Sequence, residues 1–187
     1  MTSIDVEPAH QEFLLARGTA IQSYANVEFF LCMLFAHLIS SPIEIAAIVF
    51  YRIVNTRSRN VILTELLAKR HEKQYEIYWN SIATLLRGLD QDRNNIVHWH
   101  TVMHFDMDKM TTVGAALIPP NYWRKSGAEI TVPAMRDFTN RCTFVAGYIG
   151  GLTNWLNGQM REEERNTWRE ILQRPVVYLP TNSGGQS

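Results

Sequence analysis

The chain has 187 residues, of which 46% are apolar and 19% are charged, and its formal net charge is zero. This length accommodates one domain with a sizeable core, and the composition excludes an intrinsically disordered protein. A neutral chain lacks the overall attraction to phosphate backbones that strongly basic proteins have. Binding to a nucleic acid would therefore require a local basic site.

The cysteines and the apolar stretches bear on the cellular setting. Cys32 and Cys142 are the two cysteines of the chain, and Cys32 lies within an apolar helical pattern. We therefore expect two buried free thiols in a reducing cytosol, not a disulfide framework or a metal site. Met1–Pro8 has neither the basic start nor the apolar run of a signal peptide. The longest apolar stretches fall short of the roughly 20 residues that a bilayer span requires. We expect a cytoplasmic protein with no membrane partner.

Apolar residues at three- and four-residue steps predict helices in the first half of the chain. One long helix is expected over Pro8–Ile39. A helix start follows, with Ser41 as its cap, Pro42 at its first position and Glu44 completing a capping box. This second helix is predicted to continue to about Arg70.

The next stretch predicts two further helices with a break between them. The third helix is expected over about Lys73–Arg87, because Gly88 is a natural terminator. Asp90 is suited to cap a fourth helix, which would place Arg93 in the first turn of that helix.

Beyond about Trp99 the pattern becomes that of strands and then of helices again. Thr101–Asp106 and Thr111–Ile118 are rich in Thr, Val and Ile and predict a β-hairpin with Asp108-Lys109 at its tip. A long helix from about Thr131 to near Gly158 and a short one over Glu162–Leu172 should follow. The expected fold is therefore mainly α-helical with a small β-hairpin insertion near 101–118. Residues 1–180 are predicted to form a single domain and 181–187 a disordered tail.

The candidate catalytic residues lie in the run Arg93-Asn94-Asn95-Ile96-Val97-His98. A histidine can move a proton to or from a ribose hydroxyl near neutral pH, and a guanidinium can hold a phosphate through two parallel hydrogen bonds. Attack of a ribose 2′-hydroxyl on the adjacent phosphate requires this proton transfer and this binding of the phosphate, and it requires no metal ion. Asn94 could orient the histidine or bind a phosphate oxygen.

The same run resembles the signature of the HEPN superfamily, an Arg followed by a polar residue and, after four to six intervening residues, a His. Two segments of the preceding helices also look like HEPN-type proteins: Tyr24-Ala25-Asn26-Val27-Glu28 and Asn55-Thr56-Arg57-Ser58-Arg59. The resemblance covers about residues 10–105. It implies an antiparallel helical bundle that forms a homodimer, so that two Arg/His pairs face one cleft. It also implies a metal-independent endoribonuclease or a binder of RNA or nucleotides, with Arg93 on the scissile phosphate and His98 as the general acid or base.

Two residues after the run depart from the resemblance. Members of the family often have a small residue such as Gly after the His, where this chain has Trp99. An indole there could narrow the cleft or stack on a base. His100, seven residues from Arg93, would share its helix face if the helix continued that far, whereas His98 is rotated by about 140°. We favour His98 because Asn-x-x-x-His is the commoner form.

Glu28 is a second candidate, since it lies on the apolar stripe of the first helix. A buried carboxylate needs a partner, and Arg52, Arg59 or Arg93 could provide one. Glu28 could orient Arg93, but a structural salt bridge between the first two helices is the favoured interpretation.

A metal site is not expected. The chain carries a cluster of possible ligands after the fourth helix, namely His98, His100, His104, Asp106 and Asp108. Its spacing matches no recognised metal motif, so we expect neither a metal nor another cofactor.

The leading hypothesis is an RNA-cleaving or RNA-binding homodimer, a toxin or phage-defence component with an antitoxin-like protein partner. The dimer follows from the resemblance and from the surplus of apolar helix faces, which a monomer of this size would not fully bury. The alternative is a non-catalytic helical dimerisation or interaction module.

Overall fold

The computed structural model describes residues 8–108, 111–122 and 128–180. These residues form six α-helices and one antiparallel pair of strands, so the prediction of a mainly helical fold with a small hairpin is confirmed. In chain order the elements are α1 (Pro8–Leu38), α2 (Ile43–Phe50), α3 (Thr56–His71), α4 (Glu76–His98), β1 (His100–Asp106), β2 (Thr111–Ile118), α5 (Val132–Leu156) and α6 (Glu162–Ile171).

The first helix ends one residue before the predicted boundary, in a C-terminal turn of the Schellman type. Ser40 has a positive φ of 52°, and its N–H bonds to the carbonyl of His37 while the N–H of Ser41 bonds to that of Ala36. This pair of bonds satisfies carbonyl groups that the helix end would otherwise leave open. The predicted capping box is wrong, because Pro42 is the N-cap of α2 and makes no side-chain cap bond.

The predicted second helix is in fact two helices. α2 ends at Phe50, and Asn55 begins α3 as its N-cap, with its side-chain oxygen accepting a hydrogen bond from the Ser58 N–H at 3.1 Å. An Asn side chain at this position satisfies an N–H that lacks a helical partner. Asn55 was expected inside the predicted second helix, so this second helix start is a correction to that prediction.

The predicted third and fourth helices are in fact one. α4 runs unbroken from Glu76 to His98 through Gly88, which therefore does not terminate it. Leu86, Leu89 and Ile96 are buried along the same helix. Burial of a continuous apolar face outweighs the cost of roughly 1 kcal/mol that a glycine adds in a helix interior.

The predicted hairpin is confirmed, with β1 starting one residue early. β1 and β2 pair from His100↔Ile118 to Asp106↔Thr111, with an irregularity between His104 and Phe105. Ile130 adds an isolated bridge to Leu117. Of the predicted tip, Lys109 lies outside the described residues.

The two helices of the last third match their predictions. α5 ends in a second Schellman-type turn, where Gly158 has φ 69° and its N–H bonds to the Trp155 carbonyl. A glycine adopts this backbone conformation without the strain that a side chain would add. α6 ends within one residue of its predicted boundary. The predicted tail, 181–187, lies outside the described residues.

The described chain forms two compact units, each with its own core. The first comprises described residues of Met1–Ala25 and Leu89–Cys142, and the second those of Asn26–Gly88 and Thr143–Ser187. Fully buried side chains of the first unit include Phe13, Leu117 and Phe138, and those of the second include Leu34, Tyr78, Trp79 and Ile149. The single domain expected over 1–180 stays a prediction.

No individual helix in the described part of the chain has the length and apolarity to cross a membrane. α1 and α2 reach that threshold only as a pair, which is bent by 115° at the break between them.

Within the second unit, α6 packs on a glycine of α5. A methyl group at Gly151 would overlap the ring of Trp168, so only a glycine allows this approach. Gly147, one turn earlier on α5, is exposed and has open space around it. The two positions therefore provide a matched pair for testing the contact.

We expect Gly151→Ala to lower the free energy of unfolding by about 1–3 kcal/mol, because Trp168 must move from its place. Gly147→Ala should instead raise it by about 0.5–1 kcal/mol, since alanine favours a helix and meets nothing there. Urea denaturation followed by circular dichroism measures both. Equal effects of the two substitutions would contradict the packing of Trp168 on Gly151.

Candidate functional site

The Arg93–His98 run forms the last two turns of α4, not the first turn of a helix. Asp90 consequently caps no helix, and its carboxylate accepts a hydrogen bond from the Tyr24 hydroxyl of α1. All of these residues belong to the first unit. The site is therefore built where α4 ends and the chain turns into β1.

Arg93 lies over an aromatic ring. Its guanidinium carbon is 5.6 Å from the centre of the Tyr24 ring, and its Nη1 donates to the Asn94 Oδ1 at 3.2 Å. Tyr24 itself stacks on Phe138 of α5, with 6.4 Å between ring centres and 19° between the ring planes. The half-buried guanidinium is thus attracted to a ring whose position is fixed by two other contacts.

Three arginines of the described chain lie over aromatic rings, and their charges are balanced differently. Arg59 lies over Phe50 and binds Glu28 at 2.7 Å, and Arg141 lies over Phe138 and binds Asp92 at 2.8 Å. Among the residues described, no carboxylate lies within ion-pairing distance of Arg93. Arg93 is the member of this group with guanidinium nitrogens available to an external anion.

Asn94, the proposed orienting residue, is exposed and contacts Arg93 through its carbonyl oxygen. The side-chain oxygen of its neighbour Asn95 accepts a hydrogen bond from Gln91 at 3.2 Å. That bond does not involve the imidazole of His98. The structure therefore places Asn94 beside the arginine, where a bound phosphate would compete for the same guanidinium hydrogens.

A residue that was not among the expected site residues holds the end of α4. Arg17 of α1 donates from Nε to the carbonyl of Ile96 and from Nη2 to that of Val97, both at 3.1 Å. Its Nη1 reaches the Thr101 hydroxyl of β1 at 3.3 Å. A cation on the last carbonyls of a helix satisfies open acceptors and opposes the negative end of the helix dipole. The sequence signal was that Arg17, like Glu28, is a charged residue on the apolar stripe of the first helix.

His98 is the last residue of α4, and its side chain is exposed. Trp99 is half-buried in the bend that follows, and its backbone N–H bonds to the Asn95 carbonyl at 2.9 Å. Because the His98 side chain is exposed, the neighbouring indole does not seal it from solvent. His100 is exposed too but belongs to β1. The helix ends before His100, so His100 does not share a helix face with Arg93.

Helix geometry sets how Arg93 and His98 relate within one chain. Five residues of helix separate them by about 7.5 Å along the axis and about 140° around it. Ile96 is buried, Arg93 contacts Tyr24, and His98 faces solvent. One copy of α4 therefore directs the two side chains to different sides of the helix.

Glu28 and Arg59 belong to the second unit. Their side chains are 19% and 10% exposed, respectively, and form the salt bridge described above. The Nε of Arg59 and the side-chain amide of its neighbour Asn60 are buried without a hydrogen-bond partner among the described residues. Glu28 thus pairs with Arg59, and the contacts of Arg93 that the structure describes are with Tyr24 and Asn94.

In residues 8–108, 111–122 and 128–180, no group of three or more His, Cys, Asp or Glu side chains is arranged to hold a metal ion. His104, from the cluster noted in the sequence, is 3.6 Å from Glu129. Both cysteines are buried and free, and burial raises the pKa of Cys142 to about 12. Neither thiol is suited to act as a nucleophile at neutral pH, because the thiolate is the reactive form.

Comparisons with protein-family models, with curated proteins and with solved structures found no match to this chain.

We expect Arg17→Ala to lower the free energy of unfolding by about 1–2 kcal/mol, because two carbonyls at the end of α4 lose a charged donor. Arg136→Ala is the matched control. Arg136 also pairs across helices, with Glu12 at 2.7 Å, but both side chains are more than half exposed, so its loss should cost about 0.5 kcal/mol or less. Thermal and urea denaturation measure both, and a smaller effect at Arg17 than at Arg136 would contradict the capping role.

Proposed function

We propose that the chain binds RNA and cleaves it without a metal ion, as a homodimer of the HEPN type, with Arg93 on the phosphate and His98 as the general acid or base. The observation that carries the proposal is that the Arg93 side chain is held in place but pairs with no carboxylate among the described residues. Its guanidinium is held over Tyr24 and beside Asn94, without a carboxylate to neutralise it among the described residues. A guanidinium fixed in this way is suited to bind a phosphate through two hydrogen bonds.

The chemistry assigned to these two residues balances. A base takes the proton of the ribose 2′-hydroxyl, the 2′-oxygen forms a bond to the adjacent phosphorus, and the bond from phosphorus to the 5′-oxygen breaks as an acid protonates that oxygen. The products are a 2′,3′-cyclic phosphate and a 5′-hydroxyl. His98 supplies one of the two proton transfers, and Arg93 stabilises the charge that grows on the phosphate oxygens.

In a homodimer, Arg93 of one copy and His98 of the other can meet, although one α4 directs these two side chains to different sides. Because one α4 directs Arg93 and His98 to different sides, a phosphate between two copies would meet the arginine of one and the histidine of the other. A two-fold axis would then create two equivalent pairs in one cleft. The resemblance to the HEPN superfamily implies this arrangement, with a toxin or phage-defence role and an antitoxin-like partner as its setting.

We expect the purified protein to cleave single-stranded RNA in the presence of a chelator. His98→Ala should slow cleavage by about 10²–10⁴-fold, the range for loss of a general acid or base. His104→Ala is the matched control, since it removes another exposed histidine of the same unit, and it should leave the rate within about threefold. His100→Ala decides between the two candidate histidines. Gel analysis of end-labelled RNA measures all four proteins.

Intact RNA with the wild-type protein would show that cleavage is the wrong assignment. Activity that persists equally in His98→Ala and His100→Ala would have the same meaning, because a contaminating nuclease accompanies every variant.

Binding without cleavage is tested separately with RNA that carries 2′-O-methyl groups and has no nucleophile. Arg93→Ala should weaken its affinity by about tenfold or more, because a charged hydrogen bond to a phosphate is lost. Arg87→Ala is the control, since Arg87 is exposed on the same helix and bonds to Thr84. Equal affinities of the Arg93 and Arg87 variants would remove Arg93 from the binding site. No binding and no cleavage would leave the interaction module, which the exposed apolar residues of α2 favour.

A further inference from the structure

α2 and the turn that follows it, which begins with the C-cap Tyr51, present an apolar face to solvent. Ile45, Ile48, Val49 and Tyr51 are each between 48% and 65% exposed. Ile45, Ile48 and Val49 have the spacing of one helix face, whereas the buried residues of α2, Ala46 and Phe50, occupy the other side. We call Ile45, Ile48, Val49 and Tyr51 the α2 face. It has the pattern of a helix side that proteins normally bury.

The size of this surface matches an interface. The four side chains expose on the order of 400 Å², within the range of apolar patches that mark interaction sites. Glu44, Arg52 and Val54 flank them and are also exposed. With those three, the surface reaches on the order of 700 Å², close to what each partner contributes to a standard protein interface.

We infer that the α2 face binds the α2 face of a second copy of this chain, with the two helices antiparallel across a two-fold axis near Ile48. The charges around the face are self-complementary in this arrangement. In an antiparallel pair centred on Ile48, the residue four positions before the centre meets the residue four positions after it. Those residues are Glu44 and Arg52, so each copy places its carboxylate opposite the guanidinium of the other.

Both charges are free to pair across such an interface. In the part of the chain that the structure describes, neither the Glu44 nor the Arg52 side chain takes part in a salt bridge or hydrogen bond. Ile45 would meet Tyr51 of the other copy in the same register, and Ile48 would meet Ile48. The apolar centre with charged ends is the usual anatomy of a protein interface.

The composition of α2 argues against a membrane surface as the occupant. Helices that lie on membranes carry Lys and Arg on their polar face, which attract anionic headgroups. Ile43–Phe50 contains no basic residue, and Glu44 adds a negative charge.

The first test is the mass of the full chain in solution, measured by light scattering and sedimentation from about 1 to 100 µM. We expect a dimer for the wild type and at least about a tenfold rise in the dimer dissociation constant for Ile48→Glu, which places two carboxylates against each other at the axis. Ile77→Glu is the matched control, because Ile77 is 60% exposed on α4 of the same unit and should leave dissociation unchanged. Circular dichroism checks that each variant is folded.

A charge exchange tests the register without changing the apolar centre. Glu44→Arg and Arg52→Glu should each raise the dissociation constant about tenfold, since each sets like charges opposite one another twice per dimer. The double variant Glu44→Arg/Arg52→Glu should restore most of the wild-type affinity. A double variant as weak as the single ones would overturn the antiparallel register.

Three other outcomes overturn the inference. One is a wild-type chain that is monomeric at 100 µM, and another is a dimer that Ile48→Glu and Ile77→Glu weaken equally. The third is flotation of the wild type, but not of Ile48→Glu, with vesicles of phosphatidylcholine and phosphatidylserine, which would make α2 a membrane contact. The proposed function specifies a homodimer but not its surface. A monomer that still cleaves RNA would reject this interface and the pairing of Arg93 and His98 across two copies, but not RNA cleavage itself. A dimer without nuclease activity would reject only the chemistry.

Discussion

Tyr24 connects three elements of the first unit, and the geometry of the candidate site depends on its contacts. Its hydroxyl donates to Asp90, and its ring stacks on Phe138 and lies beneath the guanidinium of Arg93. Arg141 lies over the other ring of the stack. These two aromatic rings and two arginines hold α1, α4 and α5 together, through contacts that combine dispersion with the attraction of cations to ring faces.

The two arginines of this stack differ in what surrounds them. Arg141 donates to Asp92 and also to Asp137, at 2.9 Å, so its charge serves the structure. Arg93 has the ring and an amide oxygen as its partners among the described residues. A charge that is positioned but not neutralised is what an anion-binding site requires, and this contrast carries more weight for function than the spacing of Arg93 and His98 alone.

The two proposals rest on different parts of the chain and on different physical terms. Phosphate binding relies on the charge and fixed position of Arg93, and self-association relies on the burial of the α2 face. The first should weaken as salt is raised, because counterions compete for the phosphate. The second should depend mainly on apolar area, with Glu44 and Arg52 selecting the orientation.

Much of the fold follows from local sequence patterns. The spacing of apolar residues predicted α1, helix start and stop signals predicted α5 and α6, and the Thr- and Val-rich segments predicted both strands. These features depend on backbone preferences and on periodicity, which neighbouring residues determine. The boundaries that failed were those where tertiary burial or a cap opposed a local signal. Gly88 is spanned because α4 buries one continuous face, and Asn55 starts α3 because its side chain bonds to the Ser58 N–H.

The sequence by itself determined the helical class, the hairpin and the identity of the residues that could do chemistry. Tertiary structure alone decided which of the candidate cations is neutralised. Glu28 could have paired with Arg52, Arg59 or Arg93, and it pairs with Arg59. Arg17 was not among the expected site residues, yet it caps α4 from 79 residues away in sequence. Long-range pairing of charges depends on where helices meet in space, and no periodicity along the chain specifies that.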